Sequence, residues 1–441
     1  MLGSGAALIV LAPGVWTTPI ACAVLLAIPA IWWMLRDPSA WLALFFVSAL
    51  LLPPLPIDLG NAGPHIALLF AACGMLVGMI HSIPLVMDRL SASLCALFIA
   101  MAASVAMAAI HSGLPIAAAS LARVMLFGIS VYVFLFVRAA PVSFQIVRVL
   151  FWAATASAVF ACLDFYFQFP APSGYGPQFI WLDSGVFRRA QGVFYEASTL
   201  GNLCAFFLVM IAVALFRPRS QRPAPMLPML ASGVALASAL VLSYSRGSLV
   251  NLLVALAVLM WLHRRRLARF ALTAGILAAA AGALLWSLFP LFAKAYWQRI
   301  AASFSYFIEA PNAILSGRVD TWTLLTGYLL AHPWHALLGV GYKTLPYSDF
   351  IGRTAVADNT YLGLLLETGV AGLAALVIWN IAVLRASYRA SQSDDPHRSF
   401  CGSWMLCFWT GQIVQMLSGD MLTYWRVLPV YLCVLALAVR P

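Results

Sequence analysis

Charge is what this sequence has least of. Of 441 residues, 25 are Lys or Arg and 14 are Asp or Glu, together 9%. Soluble domains carry about a quarter, so a chain fully surrounded by water is excluded. Cysteine pairing is missing too. Cys22, Cys73, Cys95, Cys162, Cys204, Cys401, Cys407 and Cys433 lie in or beside apolar segments without a CxxC pair. They read as small buried hydrophobes, implying neither a disulfide framework nor a metal site. There is no repeat of 20–50 residues and no Gly/Ser or Gln/Asn tract, which excludes solenoids and low-complexity arrays. The start lacks a cationic stretch, a short apolar core and a small-residue cleavage site. No removable signal peptide is therefore expected.

What the chain does have is apolar length. It is 63% hydrophobic, with mean hydropathy +0.95. Apolar runs fall at roughly 16–35, 40–56, 64–82, 90–111, 118–137, 145–168, 195–216, 225–243, 246–262, 270–290, 357–384, 399–418 and 424–440. Each is long enough, or nearly so, to cross a hydrocarbon core of about 30 Å. Pro13, Pro19 and Pro29 could divide the first 35 residues into two short helices, so about 12 to 14 spans are expected. The fold class is all-α, a polytopic transmembrane bundle with one large extracytoplasmic loop region. Residues 1–290 form an N-terminal bundle, 291–356 the loop region with an amphipathic helix, and 357–441 the C-terminal spans.

The formal charge of +11 does not point to nucleic acid, because the basic residues crowd short loops where they orient a membrane protein. Loops 217–222, 263–269 and 385–398, which include Arg217, Arg264 and Arg389, belong in the cytoplasm, as does the Pro-rich patch 218–228. Segments 169–194, 244–246, 291–356 and 419–423 then lie outside. Arg123, Asp164, Arg189, Glu196, Arg246, Asp358 and Arg426 all fall near that outer surface. Long side chains such as Arg123 and Arg426 can snorkel to the headgroups. Asp358 and Glu196 are too short to do so well. Arginines beside carboxylates at one interface suit an anionic lipid headgroup and acid–base work on it.

Four motifs sharpen this. In Arg189-Ala-Gln-Gly192-Val-Phe194-Tyr195-Glu196 a tight turn at Gly192 lets Arg189 and Glu196 bracket the entry of a span. In Ser243-Tyr244-Ser245-Arg246-Gly247 a polar turn presents a guanidinium, whose planar fork matches phosphate oxygens. In Ser316-Gly317-Arg318-Val-Asp320-Thr-Trp322, helical spacing of Trp322, Leu325 and Leu329 predicts a surface-lying amphipathic helix. Gly339-Val-Gly341 follows; with no strand before it, it is no dinucleotide fingerprint. The fourth is Ala357-Asp358-Asn359-Thr360-Tyr361-Leu362 with Glu367-Thr368-Gly369. Glu367, nine residues or about 13 Å deeper than Asp358, reads as an interhelical hydrogen-bond partner.

In this order the motifs resemble the bacterial O-antigen ligase/polymerase superfamily of membrane glycosyltransferases. The matching pieces are Arg189-xx-Gly192-x-Phe194-x-Glu196, Ser243-x-Ser245-Arg246-Gly247, Arg318-xxx-Trp322, Gly339-x-Gly341, Asp358-Asn359-x-Tyr361-Leu362 and Glu367-x-Gly369. They cover residues 189–372, about two fifths of the chain. The resemblance implies a polyprenyl-diphosphate-linked glycan donor and a glycan or lipid-linked sugar acceptor. It implies transfer at the outer face of the bacterial cytoplasmic membrane, with no metal or cofactor. Arg189, Arg246 and Arg318 look like the arginines expected to hold the diphosphate. Asp358 would be the catalytic base, with Glu196 the runner-up, and Asn359, Tyr361 and Trp322 would support the substrate. The ligase branch commonly has a histidine where this chain has Asp358, so a repeat-unit polymerase is preferred. The alternatives are a ligase acting on lipid A-core, a protein oligosaccharyltransferase, or a transporter of lipid-linked glycans. The expected partners are membrane lipids and polysaccharide export machinery, with no nucleic acid.

Overall fold

The computed structural model describes residues 29–55, 64–170, 176–264, 289–305, 317–349 and 354–440, except positions 35, 38, 183, 184, 195, 220 and 221, and a few residues between 275 and 287. The expected spans 16–35 and 270–290 lie largely outside these residues. Helices α1 (Ala40–Leu51), α2 (Ile66–Ile80), α3 (Arg89–Ser112), α4 (Leu114–Ala139) and α5 (Gln145–Phe167) are followed by a hairpin of β1 (Phe179–Leu182) and β2 (Gly185–Arg188). Next come α6 (Ala197–Leu215), α7 (Met226–Leu242), α8 (Arg246–Leu262), α9 (Pro290–Ser305), α10 (Arg318–Ala331) and α11 (Pro333–Leu338). Helices α12 (Thr360–Ser391), α13 (Pro396–Gln415) and α14 (Leu428–Val439) close the chain. Among the described residues α3, α4, α5, α6 and α12 are long and apolar enough to cross a membrane, and α1, α2, α7, α8 and α14 are shorter apolar helices. The all-α bundle expected from hydropathy is present. The antiparallel hairpin, pairing Phe179 with Arg188 and Leu182 with Gly185, is an addition that the sequence reading did not anticipate.

Between helices in lipid, packing and hydrogen bonds take over from the hydrophobic effect. Helix α6 occupies the middle, with most of its length buried. Helix α13 packs on α6, α8, α12 and α14. Where they meet, the Asn202 Nδ2 and Asn251 Nδ2 amides donate to Gln412 (2.9 and 3.0 Å) and to Gln415 (2.7 and 3.0 Å). Tyr431 donates to Asn202 (2.6 Å) and Gln415 to Ser248 (3.2 Å). This network fixes the mutual rotation of four helices just beneath one end of the bundle.

The two ends differ. At one, Arg138 meets Asp88 (2.7 Å), Arg217 meets Ser399 (3.0 Å), and Arg440 donates to the Val142 carbonyl (2.9 Å). At the other, the hairpin, the α7–α8 turn, the segments 317–349 and 354–359 and the segment 416–427 assemble. Those are the pieces that the basic loops assign to the outside.

Helix α12 is broken. Gly369 has φ 72° and ψ −173°, a conformation essentially reserved for glycine. The break frees carbonyls, and the chain at Gly339–Gly341 fills the gap. Val340 donates to the Leu366 carbonyl (3.0 Å) and Gly341 to that of Glu367 (2.8 Å). A side chain at Gly339 would strike the Glu367 backbone. The third and fourth sequence motifs therefore meet as one packing unit. The same segment is tied to α3 and α4, because Tyr342 N donates to Ser104 (3.1 Å) and Ser120 to the Tyr342 carbonyl (2.6 Å).

Candidate active site

Helices α6, α8, α10 and α12 all begin at one polar cavity of about 1030 Å³. Ser198 and Thr199, Arg246 and Gly247, and Arg318 come from the first turns of the first three, and Asp358 from just before the cap of α12. Unsatisfied backbone N–H groups give a helix N-terminus partial positive charge, which favours anions. The caps are built from the sequence. Ser245 Oγ accepts from Ser248 N (3.4 Å), and Asn359 Oδ1 accepts from Tyr361 N and Leu362 N (3.0 Å each).

Of the residues singled out in the sequence, Arg189, Glu196, Arg246, Arg318 and Asp358 line this cavity together. Asn359, Tyr361 and Trp322 do not line it; they hold its wall. Asn359 caps α12, Tyr361 donates to the Ile413 carbonyl (3.0 Å), and Trp322 Nε1 donates to the Ala357 carbonyl (2.7 Å). The Trp322 bond pins the chain just before Asp358, which has φ 44°, in the left-handed region. Arg318 Nε meets Asp358 Oδ2 at 3.1 Å, both side chains partly exposed. Arg189 Nε donates to the Ser243 carbonyl (2.8 Å), joining the first motif to the second.

The arginines lie close enough to act on one another's charge. Burial lowers the Arg189 pKa from its ordinary value, and Arg318 and Arg246 add to the effect while Tyr424 and Glu196 oppose it. Burial pushes the Glu196 carboxyl up; the Ser198 hydroxyl opposes this by hydrogen bonding at 3.0 Å, and Asp420 and Asp358 add to it. The site can thus receive polyanions and holds carboxylates beside them.

Three readings from the sequence are corrected. Arg426 does not snorkel: it is 3% exposed and donates to the carbonyls of Ala49 (2.7 Å), Val193 and Leu52 (2.8 Å). Arg123 turns inward to the cavity instead of out to headgroups. Glu367 is no interhelical hydrogen-bond partner; its carboxylate, in the 2% exposed residue, pairs with Lys343 of the outer segment at 3.5 Å. Lys343 also pairs with Asp420. Burial disfavours the Lys343 charge, but Asp420 and Glu367 outweigh it and raise its pKa. Lys343, Asp420, Tyr424 and Gln415 line the cavity and were missed by the sequence reading. For Asp420 a signal existed, a carboxylate in a short outer segment. Asp164, also placed at the outer surface by the sequence, accepts from Arg188 (3.0 Å).

Fold and cavity together define a class: a multi-pass helical membrane protein with a large polyanion-receptive cavity at one end. A family model described as O-antigen ligase matches residues 231–377, from α7 into α12. That match covers about a third of the chain and supports the resemblance to the O-antigen ligase/polymerase superfamily. The matched segment includes Arg246, Arg318 and Asp358; Arg189 and Glu196 lie outside it. None of the curated proteins matches the chain.

Proposed function

We propose that the protein transfers a polyprenyl-diphosphate-linked oligosaccharide to a sugar hydroxyl at the outer face of the cytoplasmic membrane, as a repeat-unit polymerase. The observation that carries this is the convergence of Arg189, Glu196, Arg246, Arg318 and Asp358 on one cavity, from places up to 169 residues apart in sequence. The diphosphate lies among Arg189, Arg246 and Arg318 and against the N-termini of α6 and α8. As the anomeric C–O bond breaks, its electrons pass to the diphosphate. Preplaced donors stabilise that charge without reorganising.

Asp358 accepts the proton of the attacking hydroxyl, and the new C–O bond forms on the face opposite the leaving group, which inverts the anomeric centre. Before substrate arrives, Asp358 is paired with Arg318 (3.1 Å). A bound diphosphate competes for Arg318 and leaves Asp358 to the acceptor. Glu196, the runner-up base, and Asp420 are the further carboxylates that line the cavity. Three arginines supply the positive charge that the diphosphate needs, and no step is routed through a metal. Asp358 in place of the ligase histidine supports polymerisation. A ligase is the second reading, favoured by the description of the matching family.

Asp358→Ala and Arg246→Ala are expected to lower transfer by about 100-fold or more, with membrane insertion retained. The measurement is product length from purified protein and a lipid-diphosphate repeat unit. Polymerase variants accumulate single repeats, whereas ligase variants accumulate long lipid-linked chains. Normal glycan length in both variants at normal expression removes the assignment.

A further inference from the structure

Arg123 sits in α4, nine residues beyond its first residue, Leu114. That is about 13 Å along the helix, well inside an apolar span. A charge at such depth is a functional candidate by default. It lines the cavity, and no carboxylate stands within ion-pair distance of it among the described residues. Two nitrogens are anchored: Nη1 donates to the Lys343 carbonyl (2.9 Å) and Nη2 to the Tyr347 hydroxyl. The guanidinium carbon lies 4.5 Å from the Tyr347 ring centre, so one face of the group is stacked and its position is fixed.

Arg123 does not come from the segments that supply the arginine trio. Helix α4 packs on α3 and α14, whereas α8 packs on α6 and α13. Arg123, Lys343, Asp420 and Glu367 all act on the buried Tyr342 hydroxyl. Within that group Asp420 and Glu367 offset Lys343, which leaves Arg123 as the uncommitted cation. The cavity is at the upper limit of what a single small ligand fills, and glycosyl transfer brings two glycans together.

We infer that Arg123, with Tyr347, forms a subsite for a phosphoryl group carried by the acceptor, apart from the donor diphosphate. This rests on the glycosyl-transfer reading above and adds the acceptor's chemistry to it. The phosphoryl group can come from a lipid-diphosphate anchor or from a phosphorylated lipid core.

The test is steady-state transfer by purified full-length protein from a lipid-diphosphate glycan. Three acceptors are compared: a lipid-diphosphate repeat unit, a phosphorylated lipid A-core, and a neutral alkyl glycoside of the same sugar. Losing a hydrogen bond to a charged group is worth about 10-fold or more in binding. Arg123→Gln is therefore expected to raise the KM for a phosphorylated acceptor about 10-fold or more, with a far smaller change in donor KM and none specific to the neutral acceptor. Arg123→Lys is expected to recover part of the loss. The phosphorylated acceptor that shows the penalty identifies the source. An equal penalty on neutral and phosphorylated acceptors, or a shift confined to donor KM, overturns the subsite and leaves glycosyl transfer standing. Wild-type protein that transfers to none of the acceptors overturns the underlying reading. If both Arg123 variants fail to give monodisperse protein, Tyr347→Ala replaces them with the same expectation and the same overturning results.

Discussion

At the scale of single residues, a charged group stands out in an apolar chain, and so Arg189, Glu196, Arg246, Arg318 and Asp358 were legible before any coordinates. Glu196, Arg246 and Asp358 sit at predicted span ends, and Arg189 and Arg318 in the predicted outer segments. What the sequence could not give is direction. Helix α4 is apolar nearly all round, so depth along it says nothing of which way Arg123 points. The same blindness hid Arg426, which hydrogen-bonds to α1 and sits near His65. His65 caps α2. Its Nδ1 accepts from Ala67 N (3.1 Å), so its Nε2 carries the proton that goes to the Leu52 carbonyl (2.9 Å). The bond from Ala67 requires a neutral ring, whereas the bond to Leu52 would survive protonation. Burial, followed by the Arg426 charge, lowers its pKa to about 4. Since the unfolded chain binds this proton more readily than the folded one, stability rises with pH across the interval between them. In detergent, melting temperature is expected to fall as pH drops from about 6.5 toward about 4. His65→Asn retains a capping side chain and should flatten that slope. An unchanged slope in His65→Asn would show that other groups control the acid limb.

Among the elements, the break in α12 shows how two glycine motifs can serve packing. The sequence expected one unbroken span over 357–384, and the Gly339-x-Gly341 pair, a piece of the family resemblance, had no assigned structural role. Its partner lies 28 residues away, Gly339 against Glu367, beyond any local pattern. Only the fold shows that a non-helical glycine at 369 and close passage of the chain at 339 are one requirement. Broken backbone is tolerated at membrane depth when other protein groups satisfy it, and Val340 and Gly341 do so here. The unit also carries Lys343, so it holds the cavity wall at Asp420. Gly369→Ala places a methyl group on the Leu337 carbonyl and forces a backbone reserved for glycine, at about 1–3 kcal/mol for the backbone alone. The expected result is a lower melting temperature together with reduced transfer. Gly327→Ala is the control, since nothing lies within 4 Å of its would-be Cβ; it should leave stability nearly unchanged. Equal melting temperatures for the two variants would mean that the break is not held as described.

Over the whole molecule, the alternation of spans was the most legible feature, because it depends only on hydropathy and on the placement of basic residues. Helices α1 to α8 run alternately toward and away from the cavity, and α12 to α14 continue the pattern. The end opposite the cavity holds Arg138, Arg217, Arg222, Arg389, Arg398 and Arg440, several of them bonded there to α13 or to neighbouring loops. An excess of arginine in short loops marks the cytoplasmic side, so the cavity should open on the opposite face. The arginines around the cavity break the rule locally, which is intelligible if substrate phosphates, not the translocation bias, require them there. Asp349 and Asp394 are both exposed, one in the outer segment and one in the α12–α13 connection, and neither lines the cavity. An impermeant maleimide is expected to label Asp349→Cys in intact spheroplasts and Asp394→Cys only after the membrane is opened. The described native cysteines lie in helices, four of them buried, so their background should be low. The reverse labelling pattern would place the cavity in the cytoplasm. Glycan assembled for the cell exterior could not then be joined there, and the arginine cluster would need a cytoplasmic polyanion as its substrate.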